Sequence, residues 1–265
     1  MAYIKDVWRF PGSNEYEYKY AGNYGAKGEK RRKRQKASPE QIKRQNKINK
    51  EKKVRRLIKA NFKRGDLWTT LKYPAGTRKT FSEVKKDFEK FRRNLRGIYK
   101  KLKQEFKYIY RIEVGALGGI HIHILINRIH GADTDVIIQS AWKYGIANHE
   151  SIYDAGGYAK LANYIVKLPE EGSEEYEQLS LFPDQDKKEM VKYSTSRNLI
   201  RPEAERTHYQ RWTMRKAIED GPTPSKGYFI DKDSIVYGIN PYTGMSYLHY
   251  TEFKITKHGP PGGTE

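Results

Sequence analysis

Between residues 65 and 168 the apolar positions change period several times, and each change marks an element. "GDLWTTLKYP" (65–74) predicts a strand, ended by Pro74-Ala75-Gly76. Phe81, Val84, Phe88, Phe91, Leu95, Ile98, Tyr99 and Leu102 then recur at helical spacing, which predicts an amphipathic helix from Thr80 to about Gln104. "FKYIYRIEV" (106–114) and "IHIHILIN" (120–127) alternate with period two. The Gly-rich "GALGG" between them predicts an antiparallel hairpin. A helix starting at Asp133 (133–145), a strand (146–153) and a helix (156–168) follow. The fold class is α+β, a central antiparallel sheet with helices packed on it.

The flanks read differently. Residues 1–30, rich in Tyr, Gly and charge, look irregular. Ser38-Pro39-Glu40-Gln41 has the form of a helix start, with Ser38 as N-cap and Gln41 closing a capping box. That helix runs to about Ala60 on a thin apolar face of Ile42, Ile48, Val54, Leu57 and Ile58, so it reads as an arm laid on the domain or on DNA. "PEEGSEEYEQLSLFPDQD" (169–186) is acidic and reads as a mobile loop. Short strands joined by turns follow. The expected organisation is a basic N-terminal helical arm (1–62), a central domain (63–168), an acidic mobile linker (169–190) and a small β-rich C-terminal extension (191–265).

Charge sharpens the picture. The net charge is +20, with 52 Lys+Arg against 32 Asp+Glu. Residues 1–110 hold 34 of the basic and 11 of the acidic side chains, so the whole excess lies there. A basic chain of this kind calls for a polyanionic partner, nucleic acid above all. The basic run lacks the strong apolar face that lipid binding needs. With no cysteine there is neither a disulfide framework nor a thiolate metal site. No stretch approaches 18 apolar residues, so a cytoplasmic protein without a membrane partner is expected.

The chemistry gathers around "GGIHIHILIN". Strand alternation sends Ile120, Ile122, Ile124 and Ile126 to one face and His121, His123 and Leu125 to the other. In the preceding strand Glu113 falls on the face that the hairpin turns toward the histidines. Two imidazoles and a carboxylate with open positions suit a catalytic divalent metal. Two histidines on the exposed face of a strand remain the plain alternative. Downstream, Tyr164 and Lys167 share a helix face three residues apart, and Lys160 lies one turn earlier. Ionising a phenol at pH 7 costs about 4 kcal/mol, which a nearby ammonium lowers. The alternative is an amphipathic helix with Tyr at the core edge and Lys in solvent.

Glu113, "HIH" (121–123) and "YIVK" (164–167) together resemble the HUH endonucleases, specifically the single-tyrosine rolling-circle replication initiators (Rep proteins). More loosely, "QNKINKEKKVRRLIKANFKRGDLWTTLKYP" and "YSTSRNLIRP" resemble initiators of Gram-positive plasmids, phages and integrated elements. The resemblance implies that Glu113, His121 and His123 hold Mg²⁺ or Mn²⁺, and that Tyr164 attacks a scissile phosphate. A 5′-phosphotyrosine and a free 3′-OH result, with Lys167 stabilising the phenolate or phosphate charge. "WTTLKYP" resembles the first motif of that family, so Thr70 and Lys72 are expected on DNA, as are Lys160 and the Arg31, Arg32, Lys33, Arg34 run. Two-tyrosine members carry a tyrosine where Lys160 stands here, which leaves one nucleophile. No Gly-rich Lys-Ser/Thr phosphate loop occurs, so unwinding falls to a host helicase or to supercoiling. A relaxase or single-strand transposase with the same chemistry, and a non-catalytic DNA-binding protein, are the other readings. Finally "QLSLF" (Gln178, Leu179, Leu181, Phe182) resembles the pentapeptide that docks bacterial replication proteins on the sliding clamp, which would bring a polymerase to the 3′-OH. The same residues could instead pin the loop to the domain.

Overall fold

The computed structural model describes residues 2–22, 30–153, 157–209 and 214–255. Residues 23–29 of the irregular N-terminal stretch and the last ten of the C-terminal extension lie outside these. In chain order, β1 (Tyr3–Arg9) and β2 (Ser13–Tyr20) lead to the long helix α1 (Pro39–Asn61). Next come β3 (Leu67–Lys72), α2 (Phe81–Lys101), β4 (Tyr108–Val114), β5 (Ile120–Ile126), α3 (Thr134–Ala141), β6 (Ile146–Ser151) and α4 (Gly157–Val166). Two short helices, α5 (Glu174–Ser180) and α6 (Asp184–Met190), precede β7 (Tyr193–Thr195) and β8 (Glu205–Tyr209). The chain ends with α7 (Met214–Glu219), β9 (Tyr228–Ile230), β10 (Val236–Asn240) and β11 (Met245–Lys254). The fold is α+β, with antiparallel sheets.

Two compact units divide the chain, residues 49–200 and residues 1–48 with 201–265. The first is built on a five-stranded sheet in the order β6-β3-β5-β4-β7, antiparallel throughout. One face carries Ile120, Ile122, Ile124 and Ile126, which pack with Phe81, Val84, Phe88, Phe91 and Leu95 of α2 and Ile138 of α3. Removing so much aliphatic and aromatic surface from water is the main stabilising term here. Thr80 caps α2 in a complete capping box with Glu83. On the opposite face Ile109 and Leu125 lie under Val54, Leu57 and Ile58 of α1 and Tyr158, Ala162 and Ile165 of α4.

Three segments differ from their sequence reading. The second half of α1 is core, with Val54 and Ile58 fully buried, because its few apolar residues cluster at the C-terminal end. Ser38 and Gln41 do form the expected reciprocal cap at the other end. The acidic segment holds α5 and α6, not a loop, and Leu179 and Met190 anchor them in the sheet's core. β7 joins the five-stranded sheet through β4.

The other unit is a six-stranded sheet in which β1 and β2 pair with strands from the chain's far end, in the order β10-β11-β2-β1-β8 with β9 beside β11. Its core is Tyr3, Val7, Tyr16, Met214, Met245, Leu248 and Tyr250. Glu252 is fully buried there and accepts hydrogen bonds from Asn14 Nδ2 (2.8 Å), Tyr16 OH (2.6 Å) and Ser225 N (2.9 Å). These donors satisfy a buried carboxylate without a salt bridge.

Candidate active site

The register of the five-stranded sheet lines up one row across every strand: Asn148, Thr70, His123, Arg111 and Tyr193. In the neighbouring row Glu113 pairs directly with His121. The hairpin that imposes this register turns through Gly118 at φ 76°, a left-handed conformation that favours glycine. A Cβ at Gly115 would come within 3.3 Å of the His121 ring, so the turn closes tightly over the imidazole.

Glu113 Oε2 lies 3.7 Å from His121 Nε2 and 3.4 Å from His123 Nε2. Donors about 2.1 Å from one ion stand about 3.0–3.4 Å apart, so small side-chain adjustments let these three share a cation. Among the described residues this is the one such His/Asp/Glu group, with all ligand atoms within 4.8 Å of one another. Two imidazoles and one carboxylate leave coordination positions open, which fits a divalent ion that must also reach a substrate. Tyr164, from the last turn of α4, brings its OH within 2.9 Å of His123 Nε2 and donates to Glu113 Oε2 at 3.1 Å. Trp68 stacks on the His123 ring at 5.5 Å and meets the Tyr164 ring edge-on at 5.8 Å. On the far side of the imidazole, Nδ1 is 3.1 Å from Thr70 Oγ1.

Burial would raise the Glu113 carboxyl, but the two histidines and the Arg111 charge outweigh it and hold it well below the usual carboxylate range. Burial pushes His123 down despite Glu113, so the ring is neutral near pH 7, the form that ligates metal. Burial, the Glu113 charge and the hydrogen bond to it together push the Tyr164 phenol well above its ordinary value, with Arg111 opposing.

Arg111 is the residue that sequence reasoning passed over. It is 5 % exposed. Its Nε is 2.7 Å from Glu113 Oε1, an ion pair whose N–H is not aimed as a hydrogen bond. Strand alternation already set it on the face of Glu113, two residues earlier; its link to α4 left no mark in the spacing. Lys167 follows the end of α4, with Nζ 4.0 Å from Glu170 and a side chain 58 % exposed. A pocket of about 230 Å³ opens beside the cluster, lined by Arg111, Glu113, Tyr164 and Lys167 and floored by Leu179 and Met190.

The remaining candidates spread out. Lys72 and Lys160 are exposed, whereas Thr70 is engaged with His123. Arg31, Arg32, Lys33 and Arg34 are exposed in the other compact unit, where Arg31 hydrogen-bonds Tyr20 OH at 2.6 Å. In "QLSLF", Leu179 is buried and Phe182 packs against the core, and Leu181 stands out at 77 % exposure. No helix of the described residues is long and apolar enough to cross a membrane.

No curated protein and no solved structure matches the chain. Residues 66–169 do match a family model, that of the replication-associated protein ORF2 family, and this span runs from the start of β3 past the end of α4 and holds every member of the cluster.

Proposed function

We propose that the chain nicks and rejoins single-stranded DNA at a replication origin, as a single-tyrosine initiator of rolling-circle replication. The observation that carries this reading is a phenol, Tyr164, in hydrogen-bond contact with both a histidine and the carboxylate of a His-His-Glu group. The match of the same span to a replication-associated family supports it.

Glu113, His121 and His123 would hold Mg²⁺ or Mn²⁺. When bound, such an ion polarises a phosphate and offsets charge at the transferring phosphoryl group. Tyr164 Oη forms the new bond to phosphorus as the bond to the 3′ oxygen breaks. The phenolic proton ends, net, on that oxygen. One phosphodiester is exchanged for another, so the free 3′-OH can reverse the step and close a circle. Trp68 and His123 fix the phenol by ring contact, which keeps attack geometry ahead of the reaction. Lys167, exposed at the pocket edge, supplies a cation to the bound phosphate. Lys72, Lys160 and the Arg31–Arg34 run hold the strand's backbone. A host polymerase extends the 3′-OH, and a host helicase or supercoiling opens the duplex. Docking on a sliding clamp through "QLSLF" would have only Leu181 fully available, because Leu179 and Phe182 pack on the domain itself.

The test uses circular single-stranded DNA with Mn²⁺, reading linearisation and a covalent protein–DNA adduct on denaturing gels. Wild type is expected to give both and Tyr164→Phe neither. Cleavage by Tyr164→Phe at the wild-type rate would overturn the assignment.

A further inference from the structure

Arg111 joins two parts of the site that come from distant stretches of chain. From β4 its Nη1 sits among three carbonyl oxygens at the end of α4: Tyr164 O at 3.2 Å, Ile165 O at 3.3 Å, and Lys167 O. The last carbonyls of a helix have no partners within it, and a cation there satisfies them and opposes the negative end of the helix dipole. The last turn of α4 has no basic residue of its own. The same guanidinium is paired through Nε with Glu113 Oε1. This contact leaves Oε2 as the oxygen that faces His121, His123 and the Tyr164 OH.

We propose that Arg111 is a positioning residue: one buried guanidinium locks the end of the nucleophile helix to the carboxylate of the metal group, and so sets the Tyr164 oxygen against the reacting phosphate. This deepens the nickase reading and rests on it for its catalytic consequence. Arginine suits the place because its planar fork offers several donors in fixed directions, where lysine offers one compact ammonium. Lysine cannot contact the α4 carbonyls and Glu113 in the same geometry. The contact also runs through the helix backbone and not through a ligand side chain, so its loss moves Tyr164 without deleting any reacting group.

Arg111→Met and Arg111→Lys test this in the full-length protein, with two measurements. Amide hydrogen exchange, followed by mass spectrometry without DNA or metal, reads the end of α4. Residues 163–168 are expected to exchange at least about tenfold faster in Arg111→Met, with Arg111→Lys between it and wild type. Single-turnover cleavage of a single-stranded oligonucleotide with Mn²⁺ reads the chemistry. The rate at saturating DNA is expected to fall about 10- to 100-fold in Arg111→Met, with the Kd for the oligonucleotide within about threefold of wild type. Wild-type exchange in the variants overturns the proposal, and so does a loss confined to Kd. Should Arg111→Met fail to fold, Arg111→Lys decides: wild-type exchange and rate in that variant are equally fatal. If wild type itself cleaves nothing, the nickase reading fails, while the exchange measurement still decides whether Arg111 locks α4.

Discussion

His123 has both ring nitrogens engaged, and that fixes what each can do. Its Nε2 faces Glu113 and Tyr164, so Nδ1 carries the proton and donates to Thr70 Oγ1 at 3.1 Å. A partner of this kind orients a ligating imidazole and raises its basicity, and losing one typically lowers metal affinity about 10- to 100-fold. Thr70→Val keeps the branched shape on β3 and removes only the acceptor. Mn²⁺ affinity, measured by calorimetry without DNA, is expected to fall about tenfold or more in Thr70→Val and to return in Thr70→Ser. Equal affinity in Thr70→Val and wild type would show that the hydroxyl plays no part. The histidines, Glu113 and Tyr164 were all legible because period-two and helical spacing decide which way a side chain points. Thr70 was read as a DNA contact, since spacing within one strand says nothing of the strand beside it. Arg111 escaped for the same reason at longer range: its partners lie more than fifty residues away on another element.

One helix can live in two environments, and α1 does. Its first turns are exposed, whereas Val54, Leu57 and Ile58 are buried among Ile109, Leu125, Ile165 and Leu199. Averaged over its length the helix is strongly polar, which is why its apolar face reads as too thin for a core element. Leu57, 4 % exposed, separates the two views. Leu57→Ala is expected to lower unfolding free energy by about 2–5 kcal/mol, read by urea denaturation, because the cavity cannot collapse around a packed sheet face. An arm that merely lies along DNA would lose almost nothing. The hairpin β1–β2 shows a different limit. "SNEYEYKY" does alternate, but with tyrosine in place of aliphatic residues, and its neighbour β11 lies more than 200 residues along the chain. No local signal reports a partner that remote. The acidic segment misled by composition: three residues, Leu179, Phe182 and Met190, outweigh its many carboxylates by packing on the sheet.

Across the whole molecule the charge is lopsided in sequence, and that asymmetry says how binding should respond to salt. The net charge is +20, and the exposed Arg31, Arg32, Lys33 and Arg34 form its densest run. Exposed charges of this kind interact weakly with their own chain at physiological salt, since screening falls off over about 8 Å. Their value lies in releasing counterions from a nucleic-acid backbone, and each phosphate neutralised on a single strand contributes about 0.7 to the slope of log K against log salt. Changing all four to alanine should therefore make the slope shallower by about 2–3 units. The lower end holds if Arg31 stays with the Tyr20 hydroxyl, its hydrogen-bond partner in the free protein. Fluorescence anisotropy with a labelled single-stranded oligonucleotide, across about 50–300 mM salt and without metal so that no cleavage intervenes, gives both slopes. A parallel pair of lines, offset or superimposed, would mean that these four side chains touch no phosphate and that their charge serves solubility. The basic positions on α1 would then have to supply the electrostatic grip.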